Sequence, residues 1–171
     1  MSEIADEHTH KAEFDVLALL EEDARTTPER IAQATGRSVA EVRAIIERAE
    51  RDGVILGYGA LVDWGRAGRN DVWAWIELKV TPEPEFGFDA VATRIAKFPQ
   101  TWSVYLTSGT YDIGVLVRGA NMHEISDFVS QKLATLAAVQ STVTHFIMRR
   151  YKVNGVEFAR SVEGDRLPVS L

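Results

Sequence analysis

Apolar residues return at helical spacing near the start of the chain: Phe14, Leu17, Ala18 and Leu20 fall near one another on one helical face, and Glu21, Glu22 and Asp23 end the pattern. A short second helix follows. Thr27 suits its N-cap, Pro28 its first position, Ile31, Ala32 and Ala34 its buried side, and Gly36 its close. After a tight turn, Ser38-Val39-Ala40-Glu41 has the form of a capping box. The serine side chain accepts from the amide of residue 41, and the glutamate reaches back to the amide of residue 38. The helix so opened buries Val42, Ile45, Ile46 and Ala49, and Gly53 stops it. Val54-Ile55-Leu56 then reads as a strand. Helix, short helix, turn, capped helix and strand is the order of a winged helix-turn-helix, which we assign to residues 1–62 with an acidic N-terminal tail.

Residues 63–71, DWGRAGRND, read as a linker. From 72 the period changes to two. Val72, Ala74, Ile76, Leu78 and Val80 form one face of a strand; Trp73, Trp75, Glu77 and Lys79 form the other. Pro82 and Pro84 break it. A helix over 88–98 buries Phe88, Val91, Ala92, Ile95 and Phe98, and Pro99 stops it. Strands over 101–106 and 112–118 flank the turn Ser108-Gly109-Thr110. Asn121 and Glu124 open a helix to about Leu136, and a last strand covers 139–148. The order β-α-β-β-α-β over residues 72–171 predicts a ferredoxin-like α+β domain with both helices on one sheet face. Two tryptophans on the other face make Trp73 and Trp75 the expected homodimer interface.

In a helix-turn-helix the capped third helix lies in the major groove and leads with its N-terminal turns. The candidate DNA-binding residues are therefore Arg37, Ser38, Ala40, Arg43, Ala44, Glu47 and Arg48. Arg43 can meet a guanine edge or a phosphate, Arg37 and Arg48 phosphates, and the two alanines thymine methyls. Taken alone, the same pattern also fits a three-helix packing unit with solvated charges. Charge sharpens the question. The chain carries a net −6, and residues 1–62 hold all of it, with seven Lys and Arg against thirteen Asp and Glu. Residues 37–52 balance four arginines against four acids. Phosphate attraction supplies most non-specific DNA affinity, so this is an unusually uncharged reading head.

With 46% hydrophobic residues the chain can build one medium or two small cores. It has no cysteine, which removes disulfides and thiolate metal sites. No apolar run approaches a membrane span, and the polar, acidic start is unlike a signal peptide, so a cytoplasmic protein without membrane partners is expected. His8 and His10 form an H-x-H pair, His123 falls in a first helical turn, and His145 near the end of the last strand is a packing or interface residue. No P-loop, Ser/His/Asp spacing or paired metal motif is present, so no catalytic residues, metal or cofactor are assigned and an enzyme is not expected.

Both halves together resemble the leucine-responsive/asparagine-regulator (Lrp/AsnC) family of transcription regulators over residues 14–157. The likeness rests on Ser38, Val42 and Gly53-Val54-Ile55, on Leu106–Asp112 with its glycine-x-tyrosine-aspartate turn, and on Ser141–Phe146 followed by Tyr151-Lys152. The resemblance implies a regulator that dimerises through its sheets, assembles further into tetramers or octamers, and binds a small effector, typically an amino acid, between ferredoxin-like domains. It maps the effector loop onto Ser108, Gly109, Thr110, Tyr111 and Asp112, with Ser141, Thr142 and Thr144 as the opposing wall. Gly109 would let backbone approach the ligand, and Asp112 would hold an ammonium group; without the resemblance the loop reads as a plain hairpin turn. The chain departs from the family where Ile45 replaces a usual basic residue and Ala49 a usual leucine. Two alternatives stay open: an enzyme of the sirohaem-decarboxylase kind on the same two domains, and a sensing module that does not bind DNA.

Overall fold

The computed structural model describes residues 2–82 and 87–158. The chain divides into two compact units, Met1–Leu61 and Val62–Leu171.

The first unit is three helices: α1 (Ser2–Glu22), α2 (Pro28–Thr35) and α3 (Val39–Arg51). Its core is Val16, Leu20, Ile31, Ala32, Val42 and Ile45, with Ala49 also buried. α1 buries a different face from the one its sequence pattern indicated. Val16 and Leu20 point inward while Phe14 is 68% exposed. Leu-rich segments offer more than one i, i+4 stripe, and the partners on α2 and α3 choose between them. Ala34 is likewise exposed. The helix extends over the H-x-H pair, whose side chains lie outside the described residues.

The expected strand at 54–56 does not form. The amides of Val54 and Ile55 both donate to the carbonyl of Ala49, at 2.8 and 3.0 Å, and so close α3 instead. Ile55 packs against the helical core, while Leu56 is 94% exposed. A strand needs a neighbour to receive its hydrogen bonds, and among the described residues none lies alongside.

The second unit is one four-stranded antiparallel sheet in the order β2-β3-β1-β4, from β1 (Val72–Val80), β2 (Thr101–Leu106), β3 (Ile113–Gly119) and β4 (Val139–Phe146). α4 (Asp89–Ala96) and α5 (Met122–Phe128) complete the ferredoxin-like order, and a π-helical turn, Val129–Leu133, extends α5. Ala74, Ile76, Leu78 and Val80 face Val91, Ile95, Ile125, Phe128 and Leu133, as strand alternation required. At about 1.5–3 kcal/mol for each large side chain fully buried, this core outweighs any surface ion pair. Beyond β4, the chain turns at Asn154-Gly155 into a small hairpin of β5 (Lys152–Val153) and β6 (Val156–Glu157). Its Asn-Gly turn is a hairpin signal of the sequence itself. Among the described residues no helix is long and apolar enough to cross a membrane.

Candidate functional site

Ser38 and Glu41 form the capping box at the start of α3. The Ser38 amide donates to Glu41 Oε2 at 2.9 Å, its hydroxyl donates to the same oxygen at 2.7 Å, and the Glu41 amide donates to Ser38 Oγ at 3.2 Å. The Ser38 amide, then its hydroxyl, hold the Glu41 carboxyl below its ordinary pKa. Ser38 is thus committed to the cap and fixes the helix end.

Val42, Ile45 and Ala49 are buried, which leaves Ala40, Arg43, Ala44 and Glu47 on the exposed face of α3. The arginines stand differently from one another. Arg43 Nη2 donates to Glu29 Oε1 on α2 at 2.8 Å with both side chains more than half exposed, and that hydrogen bond is the main cause of the lowered Glu29 pKa. Arg48 is tied to Glu13 on α1 at 3.2 Å and is partly buried, so it clamps two helices together instead of standing ready for a phosphate. Arg37 is half-buried, and its Nε is buried without a hydrogen-bond partner among the described residues. Glu13 and Glu29 lie far from α3 in sequence, and nothing in the local pattern marked them as partners.

In the second unit, Ser108, Gly109 and Thr110 are exposed at the tip between β2 and β3. Gly109 has φ +144°, a conformation that L side chains rarely adopt. The loop is closed at its base by the Thr107 amide donating to the Asp112 carbonyl at 2.8 Å. Tyr111 sets its ring edge against Trp75, 6.5 Å between centroids. Asp112 already has partners. Its Oδ2 accepts from the Val80 amide at 2.8 Å and its Oδ1 from Lys79 Nζ at 3.0 Å, and these bonds, the amide first, keep its pKa below the ordinary value. The carboxylate expected to hold a ligand ammonium therefore fastens the residue just before β3 to the end of β1.

Strand register brings part of the expected opposing wall to this end of the sheet. Ser141 pairs with Lys79, next to Asp112, whereas Thr142 pairs with Leu78 and Thr144 with Ile76. Alternation puts Ser141 on the face of Lys79 and turns Thr142 and Thr144 to the helix side. Lys79 is the residue the sequence reading missed here; a lysine at a strand end carries little signal of its own.

The helix-free face differs from expectation at its centre. Trp73 is only 7% exposed within one chain. Trp102 meets it edge-on at 5.3 Å, and the guanidiniums of Arg150 and Arg118 lie 4.7 and 5.8 Å from its ring centroid. Trp75 is half-buried, laid across Gly114 and beside Tyr105. The large apolar groups left open on this face are Trp102, Tyr105 and Val143, each more than half exposed. A β-bulge at 101–103 helps turn Trp102 outward to this face; a bulge has no clear mark in a sequence.

A helical DNA-reading unit followed by a ferredoxin-like sheet domain defines a two-domain regulator. Residues 10–55 match the model of the winged helix-turn-helix DNA-binding family, and residues 74–156 match that of the Lrp/AsnC ligand binding domain. Over 159 residues the chain is 44% identical to an uncharacterised HTH-type transcriptional regulator, YugG, of Bacillus subtilis (strain 168), spanning 92% of this chain and 96% of that protein. Among solved structures, the leucine response regulatory protein of Mycobacterium tuberculosis superposes with a TM-score of 0.69 at 26% identity, over 84% of this chain and 94% of that one. A transcriptional regulator of Neisseria meningitidis in complex with L-Met gives 0.66 at 21% identity, over 84% and 92%. The chain belongs to the Lrp/AsnC family of HTH-type transcription regulators.

Proposed function

We propose that this protein is a cytoplasmic, sequence-specific DNA-binding regulator of transcription whose activity is set by a small effector, an amino acid, bound between the C-terminal domains of a homo-oligomer. The observation that carries the DNA part is α3 itself: a capped helix whose first turns present Ala40, Arg43, Ala44 and Glu47, with Val42, Ile45 and Ala49 turned inward. Ala40 and Ala44 are sized for thymine methyls, and Arg43 becomes a base or phosphate contact by exchanging Glu29 for DNA. With Arg43 and Arg48 paired to acids, each head holds few phosphates, so several heads on one DNA supply the affinity through effective concentration.

Dimerisation through the helix-free face is supported by Trp102 and Tyr105 on β2 and Val143 on β4, which are exposed on either side of the packed Trp73 and Trp75. Further assembly to a tetramer or octamer follows the family. The exposed tip Ser108–Thr110, beside Tyr111, Asp112 and Ser141, is the effector position we favour. The Neisseria relative, determined with L-Met, supports the class of ligand. One observation favours a second reading, a sensing module that holds no DNA: no arginine of residues 37–48 stands both exposed and unpaired among the described residues.

Footprinting of the tagged protein across its genome, with and without an amino-acid panel, tests the whole reading. Discrete sites whose occupancy changes with one amino acid are expected; an absence of sites would leave the sensing module. Light scattering of Trp102→Glu/Tyr105→Glu should show smaller particles than the parent, and an unchanged mass would remove this face as the interface.

A further inference from the structure

A cleft of about 210 Å³ opens within the second unit, lined among others by Asp63, Trp64, Arg69, Asn70, Arg150 and Phe158. It lies at the start of β1, whereas the loop at Asp112 bonds to Val80 at its end. A nine-residue strand separates the two places by roughly 25 Å. The cleft is therefore distinct from the effector position proposed above and does not depend on it.

Two arginines, Arg69 and Arg118, meet here around one shared acid, and a third, Arg150, lies beside them. Arg69 donates from Nε and Nη2 to Asp71 Oδ2 at 2.9 and 2.6 Å, and its guanidinium lies 4.1 Å from the Trp64 ring centroid. Arg118 reaches the same oxygen at 3.7 Å. Arg150 has no carboxylate within ion-pair distance among the described residues. Instead its guanidinium is stacked near two rings, 4.7 Å from the centroid of Trp73 and 4.9 Å from that of Phe158. Stacking uses the faces of a guanidinium and leaves its edge, where the N–H donors lie. An arginine held in this way, beside an open cleft, has the geometry for a two-point contact with a planar carboxylate. Asp63 and Asp71 put two negative charges on the same lining against Arg69 and Arg150, which works against a phosphate dianion and tolerates a monoanion or zwitterion. Trp64 and Phe158 border the cleft, each with a guanidinium over its ring, and give an otherwise polar lining some apolar surface for the rest of a small ligand.

We propose that this cleft is a binding site for a small monocarboxylate with an apolar body, received by the edge of Arg150. The test uses the full-length protein, titrated with sodium benzoate, L-phenylalanine, sodium acetate or inorganic phosphate at constant ionic strength, and read by tryptophan fluorescence, since Trp64 and Trp73 flank the arginines. Benzoate or L-phenylalanine should give a saturable change, with phosphate about tenfold weaker or more. Arg150→Lys keeps the charge but loses the planar fork, and should weaken carboxylate binding about tenfold. Gly109→Asp, at the distant loop, should leave it unchanged. If Arg150→Lys melts early, Asp63→Asn carries the test by narrowing the preference for carboxylate over phosphate. No saturable signal from any carboxylate up to roughly 10 mM would overturn the proposal. So would tighter binding of phosphate, or binding that Gly109→Asp abolishes and Arg150→Lys leaves intact.

Discussion

Replacing Gly114 by alanine tests how the helix-free face of the sheet is packed. A Cβ at this position would overlap Cζ2 of Trp75 and stand 2.5 Å from Cη2, where carbon atoms in contact sit about 3.5–4.0 Å apart. Gly114 does not occupy a left-handed conformation, so the alanine backbone itself is unstrained. The whole penalty arises from the ring. Trp75 has limited room to yield, since Tyr105 and Tyr111 stand 6.0 and 6.5 Å from it, centroid to centroid. Being half-buried, it can tilt outward at the expense of those contacts. Overpacking of this kind costs about 1–3 kcal/mol, and removing a glycine's unfolded-state freedom returns about 0.4–1 kcal/mol, which leaves a net loss of about 1–2 kcal/mol. For a unit of this size that corresponds to a fall in melting temperature of roughly 5–10 °C. Urea and thermal unfolding of the second unit, followed by tryptophan fluorescence, measures it. In a Trp75→Ala background the obstruction is gone, and the same substitution should become neutral or stabilising. A Gly114→Ala protein as stable as its parent would refute the reasoning, as would an equal loss in both backgrounds.

Glu29→Ala should tighten DNA binding and make the dependence of log affinity on log salt steeper by about one unit per bound head, because it releases Arg43; the exposed pair should leave the melting temperature nearly unchanged. A weaker or unaltered gel shift would show that Arg43 does not contact DNA. Asp112→Asn should flatten the acid limb of the stability curve. The folded chain depresses the pKa of Asp112, so its contribution is complete above the ordinary aspartate range, about 3.9, and is lost as pH falls through the lower folded value. Equal acid sensitivity of parent and variant, by urea titration at a series of pH values, would contradict that role. Ser38→Ala should destabilise the first unit by about 1 kcal/mol through loss of the cap, measured by the helical circular dichroism signal on heating; no change would mean that Glu41 and solvent replace it.

Sequence alone determined what depends on near neighbours. The capping box at Ser38 and Glu41, the stripe Val42, Ile45 and Ala49, the alternation along Val72–Val80 and the β-α-β-β-α-β order are written in residues a few positions apart. Turn chemistry, helical period and strand period act over that range, so those elements were legible, and so was the class of protein they define. Which residues meet across the fold was not. Only the tertiary structure decided that α1 turns Val16 inward and Phe14 outward, and that Val54 and Ile55 close a helix instead of starting a strand. It also decided that Arg43 and Arg48 answer to Glu29 and Glu13, that Trp73 lies beneath Trp102 and Arg150, and that Asp112 holds the Val80 amide. These side-chain contacts join residues from 14 to 77 positions apart. A side chain's charge or ring is visible in the sequence, but the partner that takes up that charge or covers that ring is chosen by packing, where a polar group or apolar surface left without one costs free energy.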